Sequence, residues 1–369
     1  MAELKKHFYW LDWMRFIAAF MVVVCHSRGY NWVDWGSLPR VDHTALIRWF
    51  FAVTRAGLEW VVVFFVLSGF LVGGGVIRRS LDRTFDVRLF AIDRISRIWV
   101  PLIPALGLSL IVAVCCSRSA PVAEMIGNAL AMQGIICRNF AHNEPLWSLS
   151  YEVWFYILIG TVGVILLPRK NSNPAALIIL ALSFSIFTRL NPNFLSCWLL
   201  GAFCFFLISD NPSPILLILG LGVALFGGAF SQLQSDTLSL DKGSMMKFLP
   251  SREISVLIES LGFGLIMVSI CRATPKGEFL SRVEKIGTSL ATFSYTLYLT
   301  HYPILGLWEH FLPVRSPSFS LASFLIFVLK VISCLSSAWL LYIPFESRTP
   351  AVRAWMRGKF IRPPKALSS

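Results

Sequence analysis

Long apolar runs, broken at intervals by polar and charged turns, make up most of this chain. Ten such runs stand out, at about residues 10–27, 57–77, 98–116, 145–167, 175–188, 194–208, 214–230, 254–271, 289–312 and 319–344. Runs of ~20 apolar residues are the length an α-helix needs to cross a bilayer. They are too long and too continuous for barrel strands, which alternate over about ten residues. The pattern therefore predicts an all-α, polytopic helical membrane protein with about ten transmembrane helices. The fifth and sixth runs are short and flank Asn191-Pro192-Asn193, a turn signal. Residues 121–137 carry Glu124, Asn128 and Gln133 and are expected outside the spans, as an interfacial or re-entrant segment. No internal repeat of the kind that builds transporters stands out.

Composition agrees with the pattern. Of 369 residues, 56% are hydrophobic and 14% charged, with a mean hydropathy of +0.68. That excludes an ordinary soluble globular protein. Lys5 and Lys6 precede the first run as in a signal peptide, but Asp12 and Arg15 interrupt it and no small-residue cleavage site follows. An uncleaved first span is expected. The eight cysteines show no metal-ligand spacing and read as small buried apolar residues, so no metal is expected.

The net charge of +13 is explained by the loops rather than by nucleic acid. With both termini cytoplasmic, the inner segments hold twenty Lys and Arg and the outer loops eleven, which favours that orientation. Residues 1–350 then form an integral-membrane domain. Residues 351–369 form a basic cytoplasmic tail that runs into Pro363-Pro364 and is expected to be disordered.

Polar groups inside the runs carry the candidate chemistry, because ionisable side chains in a span are costly and usually face a polar interior. Arg15 and His26 are eleven residues apart. At ~100° and ~1.5 Å per residue they share one helix face, roughly 16 Å apart. Glu59 starts the second span, and Ser68, Gly69 and Gly73 to Gly75 suit close helix packing. Arg94 and Arg97 are an i, i+3 pair at the mouth of the third span, where two guanidinium forks could grip a phosphate. Ser148, Glu152 and Tyr156 share a face of the fourth span, and Ser294, Tyr298 and His301 form a stripe in the ninth. Lys330, mid-span in the tenth, needs a carboxylate or a polar cavity, and Glu346 stands at that span's inner end.

Taken in order, these stretches resemble the acyltransferase family 3 membrane proteins, the group that includes bacterial O-antigen and exopolysaccharide O-acetylases. Arg15 and His26 match the family's Arg-x10-His, and Ser68-Gly69-Phe70-Leu71 its Ser-Gly-Phe/Tyr-Leu. Arg94-x-x-Arg97 before Pro101 matches its paired arginines. Trp147-Ser148-Leu149 with Glu152 and Phe155 matches Trp-Ser-Leu-x-x-Glu-x-x-Phe. Ser294-Tyr295-x-x-Tyr298-Leu299-x-His301 matches the late-span motif. The chain departs from the family's Glu-Arg/Lys-Pro after the last span, reading Glu346-Ser347-Arg348-Thr349-Pro350.

The resemblance implies an O-acyltransferase of the bacterial inner membrane that completes its transfer within the membrane domain. Its donor would be a cytoplasmic acyl-CoA, by default acetyl-CoA, and its acceptor a hydroxyl of a surface or lipid-linked carbohydrate. Arg15, Arg94 and Arg97 would hold the donor's phosphates. His26 would be the general base or the nucleophile, with Glu152 orienting the imidazole, and Ser148, Ser294, Tyr298 and His301 would form a supporting polar stripe. Two other classes compete: a secondary transporter or channel with a polar intramembrane path, and a non-catalytic carrier or scaffold for lipid-linked sugar. Transfer of a labelled acyl group separates the three.

Overall fold

The computed structural model describes residues 8–167, 173–208, 212–234, 251–271 and 277–361, and these are helical apart from short connections and two isolated bridges. The helices are α1 (Tyr9–Gly29), α2 (Ala45–Thr54), α3 (Gly57–Ser68), α4 (Gly74–Leu81), α5 (Val87–Cys115), α6 (Val122–Ala129), α7 (Trp147–Leu166) and α8 (Pro174–Arg189). They continue with α9 (Pro192–Cys204), α10 (Pro214–Leu233), α11 (Arg252–Ile270), α12 (Glu278–Thr292), α13 (Ser294–Phe311), α14 (Leu321–Tyr342) and α15 (Thr349–Phe360).

Seven helical stretches are long and apolar enough to cross a membrane: Tyr9–Gly29, Ala45–Leu81, Val87–Cys115, Glu144–Leu166, Pro214–Leu233, Arg252–Ile270 and Leu321–Phe360. The protein is a multi-pass membrane protein. Three of the ten expected runs lack that status. Helices α8 and α9 are apolar but only 16 and 13 residues long. The run at 289–312 straddles a break at Phe293 between α12 and α13, and α13 is diluted by its Tyr, Thr and His residues. Lys5, Lys6, Arg169, Lys170, Lys242, Lys247, Arg272, Lys276, Arg362, Pro363, Pro364 and Lys365 lie outside the described residues.

Local signals explain several boundaries. Helix α5 starts earlier than its apolar run because the Asp86 carboxylate caps it, accepting from the backbone N–H of Arg88 at 2.7 Å and Leu89 at 3.2 Å. Arg94 and Arg97 consequently stand on the helix itself rather than in a loop before it. Helices α3 and α4 are joined by a π-helical turn, Gly69–Gly73. A Cβ on Gly69 would collide with the Trp198 carbonyl, and one on Gly201 with the Val66 carbonyl. Here α3 and α9 meet backbone to backbone, so close packing is what these glycines serve.

Two expectations about the periphery resolve differently. Within residues 121–137 there is only the eight-residue α6, and Asn128 and Gln133 are fully buried. Asn128 donates to the Arg138 carbonyl and Gln133 to the Leu146 carbonyl, so their polarity is spent on fixing a compact loop. The tail, expected to be disordered, is helical through Phe360. Helix α15 is tied to α5 by Arg357 and Arg353, whose guanidinium groups lie 2.7 and 3.4 Å from Asp93. A charged cluster orders this segment, a long-range contact that composition alone does not register.

The core beside the cavities is aromatic. Phe65 of α3 packs on Trp147, Tyr151, Phe155 and Phe194, with ring centroids 5.4–6.0 Å apart. Such pairs contribute ~0.5–1.5 kcal/mol each beyond their burial. They lock α3, α7 and α9 together, which sets the position of Ser148 and Glu152 on α7.

Candidate active site

Two cavities lie toward opposite ends of α1. The first, about 350 Å³, takes in Arg15, Arg94, Arg97, Arg353, Glu152 and Tyr156. The second, about 280 Å³, takes in His26, Arg28, Arg55, Glu59, Trp147 and Arg252. Both are lined by Val61 and Tyr298, so these two side chains form the partition where the cavities meet. A third space of about 290 Å³, with Arg79 and Arg357, adjoins the first and shares Leu71, Val72 and Arg94 with it.

In the first cavity the arginines are differently employed. Arg15 donates to Asp12 Oδ1 at 2.9 Å, and Thr288 donates to the other carboxylate oxygen at 3.2 Å. Arg94 lies 5.3 Å from the Tyr156 ring centroid and Arg97 5.9 Å from that of Tyr295. Neither of the latter two guanidinium groups makes a hydrogen bond or ion pair among the described residues. They are held by ring faces with their N–H forks available, a state suited to an incoming anion. Glu152 accepts from the Tyr156 hydroxyl at 2.5 Å, so the shared face expected for these two residues is realised as a direct bond.

At the partition, Ser148 Oγ and Tyr298 Oη are 2.7 Å apart, and Tyr298 also donates to the Pro145 carbonyl at 3.1 Å. Ser294 instead turns back on its own chain, donating to the Ala291 carbonyl. Of the expected stripe, Tyr298 lines both cavities and Ser294 the first, while His301 is fully buried and lines neither.

The partner of His26 is His301. Their Nδ1 and Nε2 atoms are 2.9 Å apart, and the rings stack with centroids 5.2 Å apart. The other His301 nitrogen, Nδ1, lies 3.1 Å from the Leu297 carbonyl. A carbonyl can only accept, so His301 Nδ1 carries the proton and its Nε2 carries a lone pair. His26 Nδ1–H then donates to that lone pair, and His26 Nε2 is left as a free acceptor. No described residue occupies it. The expected contact between Glu152 and His26 is not made: Glu152 lies with the arginines of the first cavity, and a neutral histidine on α13 occupies the orienting position.

Several residues here escaped sequence reading. Arg353 read as a topological charge, yet it lines the first cavity because α15 folds back on α5. Trp198 holds the Ser68 hydroxyl through its indole N–H at 3.2 Å. Lys330 finds no carboxylate; it donates to the Tyr30 carbonyl at 2.8 Å beside the Trp308 ring. Arg28 and Arg55, at the ends of α1 and α2, line the second cavity although nothing in their local sequence distinguishes them from loop arginines.

Fold and site together define a polytopic helical membrane protein with two cavities that meet at Val61 and Tyr298 and a histidine pair at the second. Residues 8–343 match the family model described as the acyltransferase domain of acyltransferase 3, and the chain belongs to that family. It is an acyltransferase enzyme. Searches of curated proteins and of solved structures return no match.

Proposed function

We propose that this enzyme moves an acyl group, acetyl by default, from cytoplasmic acyl-CoA to a hydroxyl of a surface or lipid-linked carbohydrate in the bacterial inner membrane. The observation that carries this reading is the pair of cavities meeting at Tyr298, with the free Nε2 of His26 opening on the second. The donor's phosphates are held by Arg15, Arg94 and Arg97, and the neighbouring space with Arg79 and Arg357 accommodates its nucleotide end. The uncharged arm reaches inward past Glu152 and Ser148 and brings the thioester to the partition. The ~16 Å between Arg15 and His26 along α1 suits an arm of that kind.

The acceptor enters the second cavity, where Trp147 offers an apolar wall for a sugar ring. His26 Nε2 takes the proton of the sugar hydroxyl as its oxygen attacks the thioester carbonyl carbon. Collapse of the tetrahedral intermediate breaks the carbon–sulfur bond. The departing thiolate takes the proton from His26, leaving ester, thiol and neutral imidazole. His301 holds the imidazole in the reactive tautomer and receives part of its transient charge through the shared hydrogen bond. By turning from the Pro145 carbonyl, the Tyr298 hydroxyl at the partition would donate to the developing oxyanion, with Ser148 donating to its oxygen.

His26→Ala tests this directly. Transfer of a labelled acetyl group from acetyl-CoA should fall ~10²–10⁴-fold in a well-inserted variant. Surface polysaccharide O-acetyl content should fall in cells carrying only that variant. Turnover near the wild-type rate would remove His26 from the chemistry.

A further inference from the structure

The second cavity holds more positive charge than its own residues neutralise. Arg28, Arg55 and Arg252 line it against a single lining carboxylate, Glu59. That carboxylate accepts from Ser231 at 2.8 Å and makes no ion pair with any of the three among the described residues. Arg28 is only 9% exposed, and its Nε is buried without a partner. None of its guanidinium nitrogens bonds to a described residue; the group rests against the Phe51 ring at 5.3 Å. Asp34 acts on it through space, opposed by Arg315, and makes no direct ion pair with it. Arg55 gives one N–H to the Gln232 carbonyl at 3.1 Å and keeps its buried Nε unsatisfied.

Burying a guanidinium without a direct ion pair or hydrogen bond costs several kcal/mol, and packing onto one aromatic ring offsets only a fraction of that. Such an arrangement is selected for what it binds rather than for stability. The donor cannot supply the missing anion, because its phosphates are gripped at the other end of α1, roughly 20 Å from Arg28. His26 lines the same cavity as Arg28, so the anion must belong to the molecule that presents its hydroxyl to His26 Nε2.

We propose that the acceptor is an anionic saccharide, one bearing a carboxylate or phosphate group, and that Arg28 and Arg55 clamp this group with Arg252 at the rim. This rests on the transfer reading above. The clamp fixes the ring so that a neighbouring hydroxyl faces His26, and it discriminates against neutral sugars of the same shape. A carboxylate would come from an acidic sugar residue. A phosphate would come from a sugar still attached to its lipid carrier.

The test uses the full-length enzyme in lipid nanodiscs and reads binding separately from transfer. Binding is followed by thermal stabilisation with three probes: a trigalacturonide, its fully methyl-esterified neutral form, and glucose 1-phosphate. The acid or the phosphate should bind at least tenfold more tightly than the ester, and whichever binds identifies the source of the anion. Arg28→Gln and Arg55→Gln should each abolish that preference, while both variants still bind acetyl-CoA as evidence of folding. Equal affinity for acid, phosphate and ester, or an unchanged preference in the folded variants, would overturn the proposal. Labelled acetyl-CoA is then added to the complexes. Arginine-dependent anion binding without transfer leaves the clamp standing and rejects the transfer reading instead.

Discussion

The free lone pair on His26 Nε2 depends on a chain of two hydrogen bonds that begins at a backbone carbonyl. Leu297 fixes the proton on His301, and His301 in turn fixes the proton on His26. His301 is thus a positioning residue. His301→Ala should lower kcat ~10²–10⁴-fold, the range that loss of a base or its tautomer costs, with little change in KM for the donor. His301→Gln should recover a substantial part, because its side-chain carbonyl can accept from His26 Nδ1–H. Equal loss in both variants would mean that His301 only fills space. The paired arginines answer to a different measurement. Replacing Arg94 or Arg97 with Lys keeps the charge but removes the fork. The donor's KM should rise about tenfold while the acceptor's stays put; the opposite pattern would assign the pair to sugar recognition or to topology.

At the scale of elements, the π-helical turn between α3 and α4 and its contact with α9 hold the cavity wall. Ser68 ends α3 with its hydroxyl against the Trp198 indole, and Gly69 lets the two backbones touch. π-helical turns of this kind are frequent at functional sites because they re-aim neighbouring side chains. Gly69→Val should force α9 away and cost about 1–3 kcal/mol, in the range of overpacked cores. It should lower the thermal midpoint of the detergent-solubilised protein and reduce donor binding with it. Gly75, whose added Cβ would meet open space, is the control and should tolerate Ala with an unchanged midpoint. A Gly69→Val variant as stable as the wild type would show that the helices can separate without consequence.

For the whole molecule, orientation joins the cavities to their substrates. From the count of twenty basic residues against eleven we propose that both termini are cytoplasmic, which would open the Arg15 cavity to the compartment that holds acyl-CoA. Reporter fusions at both termini should read cytoplasmic, and one in the 231–252 loop should read external. Termini on opposite sides would mean an odd number of crossings, would single out the short helices α8 and α9 as the miscounted pair, and would detach the donor from the Arg15 end.

Apolar runs, the close-packing glycines, Arg15, His26 and Glu152 within spans and the Arg94–Arg97 pair at a span's mouth were legible in the sequence. Their signals are local: helix period, span length and the cost of a polar group in lipid act on neighbours along the chain. The i, i+4 bond between Glu152 and Tyr156 belongs to the same category. The His26–His301 contact does not, since it joins residues 275 positions apart. No periodicity encodes it, and Glu152 was an equally reasonable partner until α13 packed against α1. The same holds for Arg28 and Arg353, which read as loop charges and become cavity walls only when α2 and α15 fold back on the bundle. The sequence by itself determined which groups had to be buried and in which helices. Packing between helices distant in the chain decided which of those groups meet, because side chains are paired by the shape of the assembled bundle rather than by their spacing along it.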